Sequence, residues 1–180
     1  MKTDTDLLLD FKRGDPAGLK GLFRRHHMGL LNFFHALGPC FSDQSAPRNA
    51  NAVAGLNAED LTEQVFLRLF ADRERIKVQP PFKFSLILYR LAYAFWLVSS
   101  RHRHSLAPEL YKLDECEGMA GMLQPLPDEL KAILVLYEIN GLSYAEIARV
   151  TELPEVEIQR RMHAAYGYLR AQLPAQTHGD

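Results

Sequence analysis

Apolar side chains recur at three-and-four spacing along most of this chain, and strictly alternating stretches are scarce. The pattern predicts an all-α protein of two small helical domains. A short first helix is capped by Asp4 or Thr5 and ends near Arg13. "GDPAG" then turns the chain, with Asp15 as N-cap and Pro16 at the first helical position. The next helix runs to about Leu37, with Leu19, Leu22, Phe23, His26, Leu30, Phe33, Phe34 and Leu37 as its apolar stripe. Gly38–Pro39 stops it. Residues 39–57 are small, polar and aperiodic, which predicts a flexible loop. Asn57 and Asp60 suit the cap of a helix over 58–72, whose core side is Leu61, Val65, Phe66 and Leu69.

After the break at "QPP" (79–81), a long helix is expected from about Phe82 to His102. Its run "FSLILYRLAYAFWLVSS" is interrupted by Arg90 and short for a bilayer span, so it reads as a buried helix. Residues 105–124 read as a linker. Pro127 opens a helix to about Ile139, and Asn140–Gly141 closes it. Ser143 and Glu146 form a capping box for a short helix ending near Val150. "TELP" is a turn, and 155–172 is the last helix. Ala148 is small where two steeply crossing helices meet. Ile147, Leu153 and Ile158 are apolar around the turn, and Ile158, Met162, Ala165 and Leu169 form one stripe. This is the geometry of a helix–turn–helix, whose second helix keeps a face free for a DNA groove.

Composition changes this picture little. The chain has 180 residues, a 47% apolar fraction and a formal net charge of −1. It is not a strongly basic nucleic-acid binder, but its charge is uneven. Residues 1–105 hold 15 Lys and Arg against 10 Asp and Glu, whereas 125–173 hold five against seven. Electrostatics alone favours the N-terminal half as a nucleic-acid surface. "MKTDTDLLLDF" has acids where a secretion signal needs an apolar core, and Cys40 and Cys116 are few and far apart, so a cytoplasmic, reduced protein is expected. The seven His include His26–His27 and His102/His104. No Cys or carboxylate stands at a metal-ligand spacing from them, so no metal or cofactor is expected. Without a phosphate loop, a nucleophile elbow or paired carboxylates, an enzyme is not expected either.

Three blocks carry a more specific signal. "LPDELKAILVLYEINGLSYAEIARVTELPEVEIQRRMHAAYGYLR" resembles region four of bacterial sigma factors of the extracytoplasmic-function type. "LLLDFKRGDPAGLKGLFRRHHMGLLNFFHAL" is similar to the start of region two in that family. "NAEDLTEQVFLRLF" is similar to its polymerase-binding helix. The resemblance covers about residues 5–37, 58–104 and 126–173. It implies a region-two-like domain at 1–104, an acidic linker at 105–124 and a region-four-like domain at 125–175.

The resemblance also implies roles. Glu59, Asp60, Glu63, Gln64 and Arg68 would dock on core RNA polymerase. The long helix would hold the minus-ten promoter strand, with Tyr89, Arg90, Tyr93, Trp96, Arg101 and Arg103 offering cations and aromatic faces of the kind single strands use. Core packing is the competing use of those aromatics. The last helix would read promoter DNA through Glu157, Gln159, Arg160, Arg161 and His163. The implied partners are core polymerase, promoter DNA and an anti-sigma factor.

The chain departs from the family in places. Ala94, Val98 and Ile87 stand where polar residues and a Trp are usual. Ala164, Tyr166, Gly167 and Tyr168 replace bases on the last helix. Glu152 replaces a Gly at a position calling for positive φ. The expected function is a sigma factor. A sigma-like decoy that occupies polymerase or an anti-sigma factor without melting DNA is one alternative. A free-standing helix–turn–helix regulator is another.

Overall fold

The computed structural model describes residues 2–37, 57–78, 82–105, 119–123 and 125–172, without the side chains of 99–105, 119, 120 and 172. The expected 39–57 loop lies outside the described residues, apart from Asn57. So does most of the expected linker. The described residues form eight α-helices and one 3-10 turn, with no strand among them.

Helix α1 (Asp4–Lys12) begins one residue earlier than the pattern predicts. Thr3 is the N-cap: its hydroxyl accepts from the Asp6 amide at 3.2 Å, and the Asp6 carboxylate accepts from the Thr3 amide at 2.8 Å. The signature Thr3-x-x-Asp6 was available in the sequence, with Asp doing the work usually given to Glu. Helix α2 (Pro16–Ala36) starts on Asp15, whose carboxylate accepts from the Ala17 amide at 2.8 Å. Each such cap is worth about 1 kcal/mol. The two helices pack very closely at Gly18, where an added Cβ would lie 2.4 Å from the Leu7 carbonyl oxygen. Asp4 ties the pair together by accepting from Arg25 at 2.7 Å and meeting His26 Nε2 at 2.8 Å.

The α2 stripe is buried much as the spacing predicts, with one exception. Phe23 is 42% exposed, stacked on His27 and tilted against Phe66. Helix α3 (Ala58–Ala71) carries the expected Asn57–Asp60 capping box and buries Leu61, Val65, Phe66 and Leu69. A 3-10 turn (Arg73–Arg75) follows. Helix α4 (Phe84–Ser105) is the long helix of the apolar run.

A short α5 (Met119–Leu123) lies inside the stretch expected to be linker. Helix α6 (Asp128–Glu138) buries all six residues from Lys131 to Leu136, so it is surrounded on every side. It ends on Gly141 at φ +65°, where the Leu142 amide reaches back to the Leu136 carbonyl at 3.0 Å. Helix α7 (Tyr144–Thr151) starts on the predicted Ser143–Glu146 box and closes at Glu152. Helix α8 (Glu155–Gln172) completes the helix–turn–helix. The two lobes do not stand apart. Helix α4 packs on α7 and α6, α2 touches α5 and α6, and the buried apolar residues form one continuous cluster.

Candidate polymerase and nucleic-acid interfaces

On α3 most apolar residues face inward, and Glu59, Glu63, Leu67, Arg68 and Phe70 stand outside. Leu67 and Phe70 are 52% and 49% exposed. Glu59 stands 3.5 Å from His35, and Arg68 pairs with Asp72 at 2.5 Å. Gln64 is half-buried. The Asp60 carboxylate serves the cap, accepting from the Asn57 amide at 3.2 Å. The acids of this face were legible in the sequence. Its two exposed apolar residues were missed, although Glu63, Leu67 and Phe70 follow the helical spacing that would have found them.

Helix α4 distributes its residues differently from the expected strand-binding face. Tyr89, Tyr93 and Trp96 are 9%, 7% and 1% exposed and belong to the core. Burial pushes both phenols above their ordinary range. The outward stripe is Arg90, Ala94 and Val98 instead. Core packing is therefore the use this conformation makes of the three aromatics. The side chains of Arg101 and Arg103 lie outside the described residues.

Arg90 is not free. Its guanidinium pairs with Glu152 across the lobes. Glu152 sits at φ 61°, ψ 24°, a left-handed conformation that costs a side-chain-bearing residue about 1 kcal/mol and a glycine almost nothing. An exposed ion pair returns at most about as much. The sequence comparison with Gly at this position anticipated the backbone conformation. It did not anticipate the partner.

The α8 residues expected to read DNA divide in two. Gln159, Arg160 and His163 are exposed. Val156 joins them at 71% exposure on the same face, and was missed. An apolar side chain there suits a thymine methyl group. Arg161 points the other way: its guanidinium donates to Glu129 at 2.6 Å and Glu157 at 2.7 Å, and its side chain is only 19% exposed. It holds α8 to α6 in this conformation. Arg160 grips the same Glu157 with two donors at 2.7 Å each. Between them, Arg160 and Arg161 hold the Glu157 carboxyl far below its usual range, at about 2.

Beyond this face, an apolar groove of about 460 Å³ opens between α5, α6 and α8. Met122, Leu123, Leu134, Ile139 and Leu169 line it, and the Glu138–Tyr166 hydrogen bond sits at its rim. Among the described residues, no cluster of His, Cys, Asp and Glu is placed to hold a metal, and no helix is long and apolar enough to cross a membrane.

Comparison with known proteins follows the same lines. Residues 118–169 match the family model for sigma-70, region 4, a match that takes in α5 as well as the helix–turn–helix. Two solved structures share the fold over most of both chains. CnrH, in complex with the cytosolic domain of CnrY, is 20% identical with a TM-score of 0.68, covering 95% of this chain and 97% of that one. The sigma factor RpoE from Bartonella quintana, in complex with the anti-sigma factor NepR, is 16% identical with a TM-score of 0.63, covering 84% and 94%. Residues 118–169 thus resemble sigma-70 region 4, and the described chain shares the fold of these two solved structures.

Proposed function

We propose that this chain is a sigma factor that recruits core RNA polymerase to specific promoters in the cytoplasm, acting by binding and strand capture without covalent chemistry. The observation that carries this reading is a helix–turn–helix similar to region four, set in a chain most of which shares the fold of the two solved structures. The working modules are residues 1–104 and 125–175, joined by 105–124. Helix α3 docks on polymerase through Glu59, Glu63, Gln64 and Arg68, with Leu67 and Phe70 as the apolar centre that a protein interface needs. Asp60 contributes by fixing the start of that helix. Helix α8 reads the major groove through Val156, Gln159, Arg160 and His163, while Glu157 aims Arg160. The minus-ten strand meets α4, through Arg90, Arg101 and Arg103 and, when the lobes part, Tyr89, Tyr93 and Trp96. An anti-sigma protein is the expected regulator, by analogy with the complexes of the two structural neighbours.

A second reading has its own observation. The outward stripe of α4 offers Ala94 and Val98 where base-edge partners are needed, which suits a decoy that occupies polymerase without melting DNA. One experiment decides. The purified chain is added to core polymerase with fragmented genomic DNA of the source organism, and the transcripts are sequenced. The sigma reading expects discrete starts that share two spaced elements. Tight polymerase binding without such starts supports the decoy. Absence of polymerase binding refutes both.

A further inference from the structure

Helix α2 leaves Phe23 42% exposed and yet holds it still. The ring lies nearly parallel to His27, with centroids 4.9 Å apart, and tilts against Phe66 of α3 at 4.8 Å. A 2.9 Å hydrogen bond between Nδ1 and the Phe23 carbonyl fixes the His27 ring in turn. One turn beyond Phe66, Phe70 is 49% exposed and equally fixed. It tilts against Phe11 at 5.8 Å, and the Arg73 guanidinium lies 5.0 Å over its ring. The exposed apolar surface of α3 thus continues across Phe66 onto α2. Aromatic rings already held in one pose lose little conformational freedom when a partner covers them, which is the property of binding hot spots.

Charge divides this surface in two. On α2, Lys20 and Arg24 are exposed one turn apart and share the Phe23 side of the helix by spacing, with His27 next in the row. On α3, Glu59 and Glu63 are exposed one turn apart on the side that carries Phe70. Among the described residues Lys20, Arg24 and Glu63 have no ion-pair partner, whereas Arg25, Arg90, Arg160 and Arg161 are each engaged by a carboxylate. The aromatic seam therefore has one basic bank and one acidic bank, and both hold charge that the chain itself leaves uncommitted.

We propose that α2 and α3 form one two-signed docking face, in which Phe23 completes the apolar centre and the two banks receive an amphipathic helix of core polymerase. That helix carries carboxylates on the flank facing Lys20 and Arg24, Lys or Arg on the flank facing Glu59 and Glu63, and apolar residues between them. Banks of opposite sign fix which way round it lies, since a reversed helix would set like charge against like. The inference rests on the sigma reading for the polymerase, and adds α2 to a contact otherwise assigned to α3 alone. A nucleic-acid strand fits less well, because its phosphates would meet Glu59 and Glu63.

The test is competition between the full chain and a labelled sigma factor for core polymerase, in low and in high salt. Phe23→Ala should weaken binding about tenfold. Lys20→Glu/Arg24→Glu and Glu63→Lys should each weaken it about tenfold in low salt and much less in high salt. The shared direction of the two reversals is the signature, since a partner that sought one sign of charge would answer them oppositely. The reversed side chains are exposed, so they decide the matter even where Phe23→Ala loses helicity by circular dichroism.

Wild-type affinity in Phe23→Ala and in Lys20→Glu/Arg24→Glu, beside a loss in Leu67→Ala, overturns the part given to α2 and leaves the polymerase reading standing. Unchanged or tighter binding by Glu63→Lys overturns the two-signed partner. Normal polymerase binding by Lys20→Glu/Arg24→Glu with reduced promoter-specific transcription assigns that bank to nucleic acid, and overturns the proposal as well. A wild type that never binds polymerase removes the sigma reading and this occupant together.

Discussion

Helices α3 and α8 are both amphipathic and both proposed here to meet macromolecular partners, yet their polar faces are chemically unlike. The outer row of α3 pairs acids with exposed Leu67 and Phe70. On α8, the one acid in the middle of the charged face, Glu157, is consumed by two arginines of its own helix. The first arrangement leaves apolar area to bury, which is how proteins bind proteins. The second holds a guanidinium in a fixed pose beside polar Gln159 and His163, which suits a groove with a pattern of donors and acceptors. The difference lies less in charge than in whether the charge has been used internally.

The sharpest way to break the comparison is to remove the inward anchors. Leu69→Ala in α3 and Ile158→Ala in α8 should each cost about 2–5 kcal/mol by urea denaturation, since the two side chains are 1% and 0% exposed. Leu67→Ala should leave stability within about 0.5 kcal/mol, and Phe70→Ala should cost about 1 kcal/mol through its contacts with Phe11 and Arg73. They should nevertheless weaken polymerase binding about tenfold, measured by competition with a labelled sigma factor. Equal losses of stability at Leu67 and Leu69 would mean that α3 has no free face.

On α8 the two neighbouring arginines should part company. Arg161→Ala should cost about 1 kcal/mol of stability through the lost contacts with Glu129 and Glu157. Arg160→Ala should cost almost none, and should instead weaken promoter-specific transcription. A reversal would exchange their roles.

The smallest effect concerns acid. Because the Glu157 carboxyl is lowered from 4.5 to about 2, its contribution to stability is complete above about pH 4.5 and fades as pH falls toward about 2. The stability difference between wild type and Glu157→Gln should therefore shrink across that window and shrink further in high salt. A difference that grows on acidification would contradict the assignment.

What was legible in the sequence was mostly local. The Asn57–Asp60 and Ser143–Glu146 boxes, Asp15–Pro16 and Asn140–Gly141 each fix a helix end with residues a few positions apart, and each end falls where the pattern predicts. What was not legible depended on distant partners. Helix α4 is apolar on nearly every side, so spacing could not tell that Tyr89, Tyr93 and Trp96 face the core while Ala94 and Val98 face out; packing on α6 and α7 decides that. Arg161 and Gln159 are alike in the sequence, two exposed-looking polar residues on one helix. Glu129, 32 positions away, draws Arg161 inward. Phe23 fits the α2 stripe by spacing but falls at its edge, where α3 covers only part of the ring.

The left-handed residue that ends α7 has a genetic consequence. Glutamate and glycine codons differ by one base at the second position, so a single transition replaces Glu152 with the residue its backbone prefers. That step would relax the turn and remove the partner of Arg90 at once. A lineage could thus set how tightly the two lobes hold each other by one nucleotide, without disturbing the core of either.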